Sequence, residues 1–167
     1  RCDSLHVTLE HYNELTLKPL QMLFENQFSR IALWFDDDMF CQINLLTLLA
    51  YLDQINYGRE ATFNLVNRKF EVINCYEIDA QGYYEIYKQV MINKCVPQNI
   101  KLSVMENGIR LYFEYLKEEN EITTYIRRHA DLQNRVLVAE LLKVFCQYGL
   151  GDTQYMQLIQ AYRSHNR

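Results

Sequence analysis

The hydrophobic pattern changes period along the chain, and the change marks out the elements. From Leu9 to about Gln27 the apolar positions are Leu9, Tyr12, Leu17, Leu20, Leu23 and Phe24, a mostly helical spacing interrupted by Pro19. Two short helices are expected, with Pro19 near the start of the second, where its missing N–H would be unpaired in any case. Ile31-Ala-Leu-Trp-Phe35 is then a run of five apolar residues without alternation. Such a run suits a strand covered on both faces. Asp36, Asp37 and Asp38 end it, and Asp37 or Asp38 is expected to cap the following helix. That helix, from about Met39 to Ile55, is apolar at Phe40, Ile43, Leu45, Leu46, Leu48, Leu49 and Leu52. These positions cover more than one stripe, so the helix is expected to pack on several sides.

Tyr57-Gly58-Arg59-Glu60 reads as a turn, and Ala61-Thr-Phe-Asn-Leu-Val66 alternates as a second strand. Strand, helix and strand in succession form a βαβ unit, which crosses over right-handed and sets the two strands parallel. Phe70-Glu-Val-Ile73 is a candidate short extra strand. From there the pattern is helical: Gln81 to Lys94, a helix opened by Pro97 with a face of Leu102, Met105, Ile109, Tyr112, Phe113 and Leu116, then Glu121 to His129, Leu132 to Tyr148, and Gln154 to Tyr162. Gly108 falls inside one of these helices, where it costs about 1 kcal/mol relative to Ala unless a neighbouring helix needs the close approach. The predicted fold is α/β, a small parallel sheet with a βαβ unit over residues 1–79, followed by an all-helical C-terminal part over residues 80–167.

Composition narrows this reading in a few places. The chain has 167 residues and a formal charge of −4, with only 5 Gly and 2 Pro, which suits a helix-rich fold. Residues 1–99 carry 8 basic and 13 acidic side chains, and residues 100–167 carry 9 and 8. Neither half offers a basic surface of the kind that binds nucleic acid through its phosphates, so charge argues against that partner. Five cysteines at wide spacing, with no Cys-x-x-Cys, argue against a disulfide framework or structural zinc and point to reduced thiols in the cytoplasm. No apolar run is long enough for a membrane span, and no signal-peptide pattern is present. The chain opens on Arg1 rather than Met and reads as a trimmed chain or a fragment.

The chemistry concentrates at the end of the first strand. In open α/β sheets ligands bind at the carboxyl ends of strands beside a helix N-terminus. Asp36, Asp37 and Asp38 stand at such a place, with Gln42 one turn into the helix. They form either a ligand or acid/base cluster or a helix cap at the positive end of a helix dipole. Trp34, the only Trp, is either core or a ligand platform. Cys41 lies in the first turn, where a dipole would stabilise its thiolate, but three nearby carboxylates would oppose that, so a buried, inert thiol is expected. His6, His11, His129 and His165 make no metal-binding spacing. Gly149-Leu-Gly-Asp-Thr153 between two helices is compatible with helix-turn-helix, with Gln154, Gln157, Gln160 and Arg163 as readers, or with a plain helical bundle.

The stretch Trp34, Phe35, Asp38, Met39, Phe40, Cys41, Gln42, followed by Leu45 and Leu46, resembles a bacterial family known as a domain of unknown function, numbered eighteen thirty-five. Asn120 to Ile126 and Tyr148 to Gln154 are similar to the family's C-terminal helical part, where Tyr148 replaces an Asn and Thr153 and Leu158 keep the spacing. The resemblance implies a further first strand with a small-residue turn, which nothing in residues 1–29 matches, so the sheet is expected to lack its first strand. The family brings no activity. The resemblance supports Trp34, Asp38 and Gln42 as site residues.

Two functions follow. The first is a small-molecule or nucleotide-binding α/β domain with its ligand at Trp34, Asp36, Asp38 and Gln42, without a metal. The residues name no cofactor, reaction or oligomeric state. The second is a regulatory or interaction protein whose C-terminal helices contact DNA or a protein partner.

Overall fold

The computed structural model describes residues 8–165. Thr8 caps the first helix, α1 (Leu9–Tyr12), its hydroxyl accepting from the His11 N–H at 3.2 Å, and the chain continues through a π-helical turn, Asn13–Leu17. Pro19 lies in the turn that follows, just ahead of α2 (Gln21–Phe24) rather than within its first turn. Neither short helix contains a buried residue, though Leu23 touches the core and the Phe24 ring meets Tyr51 edge-on.

The sheet has three strands in the order β1 (Arg30–Phe35), β2 (Glu60–Val66), β3 (Val72–Glu77). β1 and β2 run parallel, with Leu33 opposite Phe63 and Phe35 opposite Leu65. They are joined through α3 (Met39–Gln54), as the βαβ pattern predicts. β3 runs antiparallel to β2, so the sheet is mixed and not purely parallel. The reversal is made by a tight turn in which Asn67 Oδ1 accepts from the N–H groups of Lys69 and Glu71, and Phe70 takes a φ of 62°. A positive φ at Phe leaves no glycine signal in the sequence, and the strand accordingly begins at Val72, two residues past the expected start.

Leu33, Ala61, Phe63 and Leu65 point into the core. Among the described residues nothing covers the opposite face, against the expectation of a strand buried on both sides: Ala32 is exposed, Trp34 is 56% exposed, and Ile73 and Cys75, across β2 on β3, are exposed. Leu33 alone of the apolar run is fully buried.

The C-terminal part is helical. α4 (Tyr83–Tyr87) runs into a π-helical turn, Lys88–Ile92. Its start is held by Asp53 near the end of α3, whose Oδ2 accepts from Gly82 and Tyr84 N–H at 3.0 and 2.9 Å. Pro97 is buried in an irregular segment and does not open the next helix, which begins at Ser103 after buried Leu102: α5 (Ser103–Tyr115). Then come α6 (Glu121–Arg128), α7 (Asn134–Val144) with a 3-10 turn at Cys146–Tyr148, and α8 (Asp152–His165).

Two apolar clusters fill the interior. One joins the inner sheet face, α3, α4 and the first half of α5; the other joins Met39 and Leu111 to α6, α7 and α8. α3 and α5 therefore belong to both. They can approach closely because Gly108 faces Gln42: a Cβ at position 108 would overlap Gln42 Cβ and lie 3.0 Å from its Cγ. No helix among the described residues is long and apolar enough to cross a membrane.

Candidate functional site

The carboxyl end of β1 is where the polar residues gather. Asp38 is the N-cap of α3, with extended φ and ψ of −68° and 158°, and its Oδ1 accepts from the Cys41 N–H at 2.7 Å. The same carboxylate lies against Gly149, so closely that a Cβ there would overlap it. Asp36 is held from two sides. Its carbonyl accepts from Gln42 Nε2 at 2.7 Å, and its Oδ1 accepts from the Asp37 N–H at 2.6 Å. Asp37 is exposed.

The electrostatics follow from this crowding. The Asp37 carboxyl is held above its ordinary value, chiefly by its hydrogen bond with Asp36, then by partial burial and by repulsion from Asp36 and Asp38. The Cys41 thiol is pushed up to about 11, first by burial and further by the charges of Asp38 and Asp36. Burial, reinforced by the neighbouring carboxylates, thus keeps Cys41 a neutral, poorly nucleophilic thiol.

Gln42 is fully buried between α3 and α5. Its Nε2 is used by the Asp36 carbonyl, while its Oε1 has no hydrogen-bond partner among the described residues. The opposite assignment of the amide would set two acceptors against each other, so the orphan atom is the oxygen.

Two residues that sequence reasoning did not single out complete the cluster. Arg68, in the β2–β3 turn, has its guanidinium held above its ordinary value, chiefly through hydrogen bonding to the Cys146 sulfur and also by the charges of Asp36 and Asp37. Cys146, half-buried, comes from the 3-10 turn after α7. The available signal for Arg68 was the parallel pairing itself: it places the residues after Val66 next to those after Phe35.

Of the four residues expected to bind a ligand, Asp36, Asp38 and Gln42 come together around the start of α3. Trp34 stands one strand position pair earlier, on the open sheet face, which alternation along an extended strand gives also to Asp36. Clefts in the surface are lined by other residues, among them Asp53, Tyr57 and Asp79 at the opposite end of α3, and Ile100, Ile109 and Phe113 along α5. No three His, Cys, Asp or Glu side chains among the described residues are grouped to hold a metal ion. The site can therefore present charge of both signs beside the start of α3. No protein-family model, no characterised protein and no solved structure matches the chain, and the site is read from its own geometry.

Proposed function

We propose that the protein is a small-molecule or nucleotide-binding α/β domain whose ligand sits at the carboxyl end of β1. The observation that supports this is the gathering of Asp36, Asp38 and Gln42 at the N-terminus of α3, with Arg68 near enough for the charges of Asp36 and Asp37 to favour its guanidinium. This is the place where open α/β sheets receive ligands, because strand ends and helix N-termini leave unpaired backbone donors there. Asp36, Asp37 and Arg68 are the contacting groups, with Trp34 at the margin as an exposed aromatic surface. Asp38 and Gln42 have supporting roles: one caps the helix and the other fixes the Asp36 carbonyl. No reaction is proposed. The resemblance of residues 34–46 to domain-of-unknown-function family eighteen thirty-five belongs to the same proposal and adds no activity to it.

The helical reading has less support. Gln154 accepts from the Gly151 N–H at 2.7 Å, and Arg163 donates to the carbonyls of Ala130 and Leu132 at 3.2 and 2.6 Å. Tyr155 and Ile159 of α8 are fully buried. Two of the four side chains that would read a partner are thus committed within the fold.

A thermal-shift screen with nucleotides, phosphorylated metabolites and amino acids tests the ligand reading. A ligand that binds only the folded chain raises the melting temperature by mass action, by about 2.7 kcal/mol of stability at a hundred times its Kd. The expected result is a hit whose shift disappears in Arg68→Ala and shrinks in Asp37→Asn. A hit that both variants bind like the parent places the ligand elsewhere.

A further inference from the structure

Among the described residues, β1 is an edge of the sheet and nothing pairs with its outer side. Among the described residues, no backbone hydrogen bond joins residues 30–35 to any element other than β2. Unpaired edge strands recruit another strand unless something blocks them, and the usual blocks are proline, an interior charge, a bulge or a covering loop. Arg30-Ile-Ala-Leu-Trp-Phe35 has no proline, no bulge and no charge after its first residue.

We propose that β1 pairs antiparallel with β1 of a second copy of this chain across a two-fold axis, turning two three-stranded sheets into one of six strands. The strand's own sequence selects the register. Outward-facing backbone groups alternate along a strand, so a two-fold pairing can be centred on Ala32, Leu33 or Trp34 with matching donors and acceptors. Centred on Leu33, it sets Ile31 opposite Phe35 on the core face, Ala32 opposite Trp34 on the open face, and Arg30 opposite Asp36. A small residue then meets the one Trp, and opposite charges meet at both ends. Centred on Ala32, Arg30 faces Trp34; centred on Trp34, two indoles collide and Asp36 faces Ala32. Only the Leu33 register is complementary in both size and charge, and cross-strand pairs of that kind stabilise a ladder.

The other edge does not offer this. β3 contains Glu77 and no basic residue, and its pairing with β2 is bulged at Leu65/Val66, which twists an edge away from straight pairing. Pairing β1 with β3 of another copy would be head-to-tail, building rings or filaments in place of a two-fold pair. Arg30 is already paired with Glu60 of its own chain, and both are exposed. A guanidinium carries five donors, enough to bridge Glu60 and the second copy's Asp36. In the pair, each copy delivers Arg30 to the carboxyl end of the other's β1, beside Asp36. The inference rests on the open edge and not on the ligand reading.

Sedimentation velocity across the low to tens-of-micromolar range tests it, with the parent, Arg30→Glu, Asp36→Lys and the double reversal, each checked for folding by circular dichroism. The parent is expected to dimerise. Each single reversal sets like charges together at both ends and should weaken the dimer about tenfold. The double reversal should restore it. A parent that stays monomeric overturns the proposal, as does a dimer that both single reversals leave intact. If a reversed variant does not fold, the parent supplies the answer alone. Trp34 is the only Trp, so its emission should shift to the blue as concentration rises, and a concentration-independent spectrum overturns the pairing.

Discussion

The Asp38 carboxylate and Gly149 are in direct contact, which ties the first turn of α3 to the chain reversal before α8. Gly149 has a φ of 64°, which L side chains rarely adopt, and has no room for a Cβ because the carboxylate occupies that space. Gly149→Ala should therefore lose about 2–4 kcal/mol, from backbone strain together with a displaced cap. In a urea double-mutant cycle with Asp38→Ala, the pair should lose clearly less than the sum of the singles. Additive losses would mean that the contact carries no energy.

Gly108 reverses the usual rule for helices. Replacing an exposed mid-helix Gly by Ala stabilises by about 1 kcal/mol. Here Gly108→Ala drives a methyl into Gln42 at the crossing of α3 and α5 and should destabilise by about 1–3 kcal/mol. The sign of the change in urea midpoint is the test.

The expected helices are largely present, and the reasons differ from element to element. α3 was legible because its apolar residues surround it and three aspartates precede it, and Asp38 does cap it. The uncovered sheet face was not legible, because Ala32 and Trp34 belong to the same apolar run as buried Leu33 and composition does not record which side has a neighbour. The direction of β3 was hidden by a turn that uses Phe70 where a glycine would have announced it. At the site, the aspartates and Gln42 could be named from local spacing. Arg68, Cys146 and Gly149 could not, since the tertiary fold brings them in from elsewhere in the chain.

Asn120 does more than an ordinary cap. Its Oδ1 accepts from the Thr123 N–H at 3.0 Å, and its Nδ2 donates to the carbonyls of Tyr115 and Lys117 at 3.0 and 3.1 Å, in a buried position. At an exposed cap, Asp and Asn are nearly equivalent. Asn120→Asp should instead lose about 1–3 kcal/mol at neutral pH, because a carboxylate would face two carbonyls with no proton to offer. Thermal melts of the two proteins at pH 7 decide it.

The Asp36–Asp37 pair gives stability a pH dependence of known sign. Because the Asp37 carboxyl is held above its ordinary value in the folded chain, folding favours its protonated form. Its favourable contribution is complete below the unfolded value and is lost as pH rises through the folded one. Asp37→Asn should consequently melt higher than the parent at pH 7, and the difference should shrink as pH falls below about 4. A difference that stays constant between those limits would show that ionisation of Asp37 beside Asp36 is not its source.

Because Met39 at the head of α3 lies in one apolar cluster and Leu45, Leu46, Leu49 and Leu52 lie in the other, neither cluster is complete without this helix. The sheet-bearing and helical parts then share a structural beam rather than a linker. Loss of order in one removes a wall of the other, so the chain is expected to melt as a single cooperative unit, and severing it near residue 80 would leave two pieces that each expose half a core.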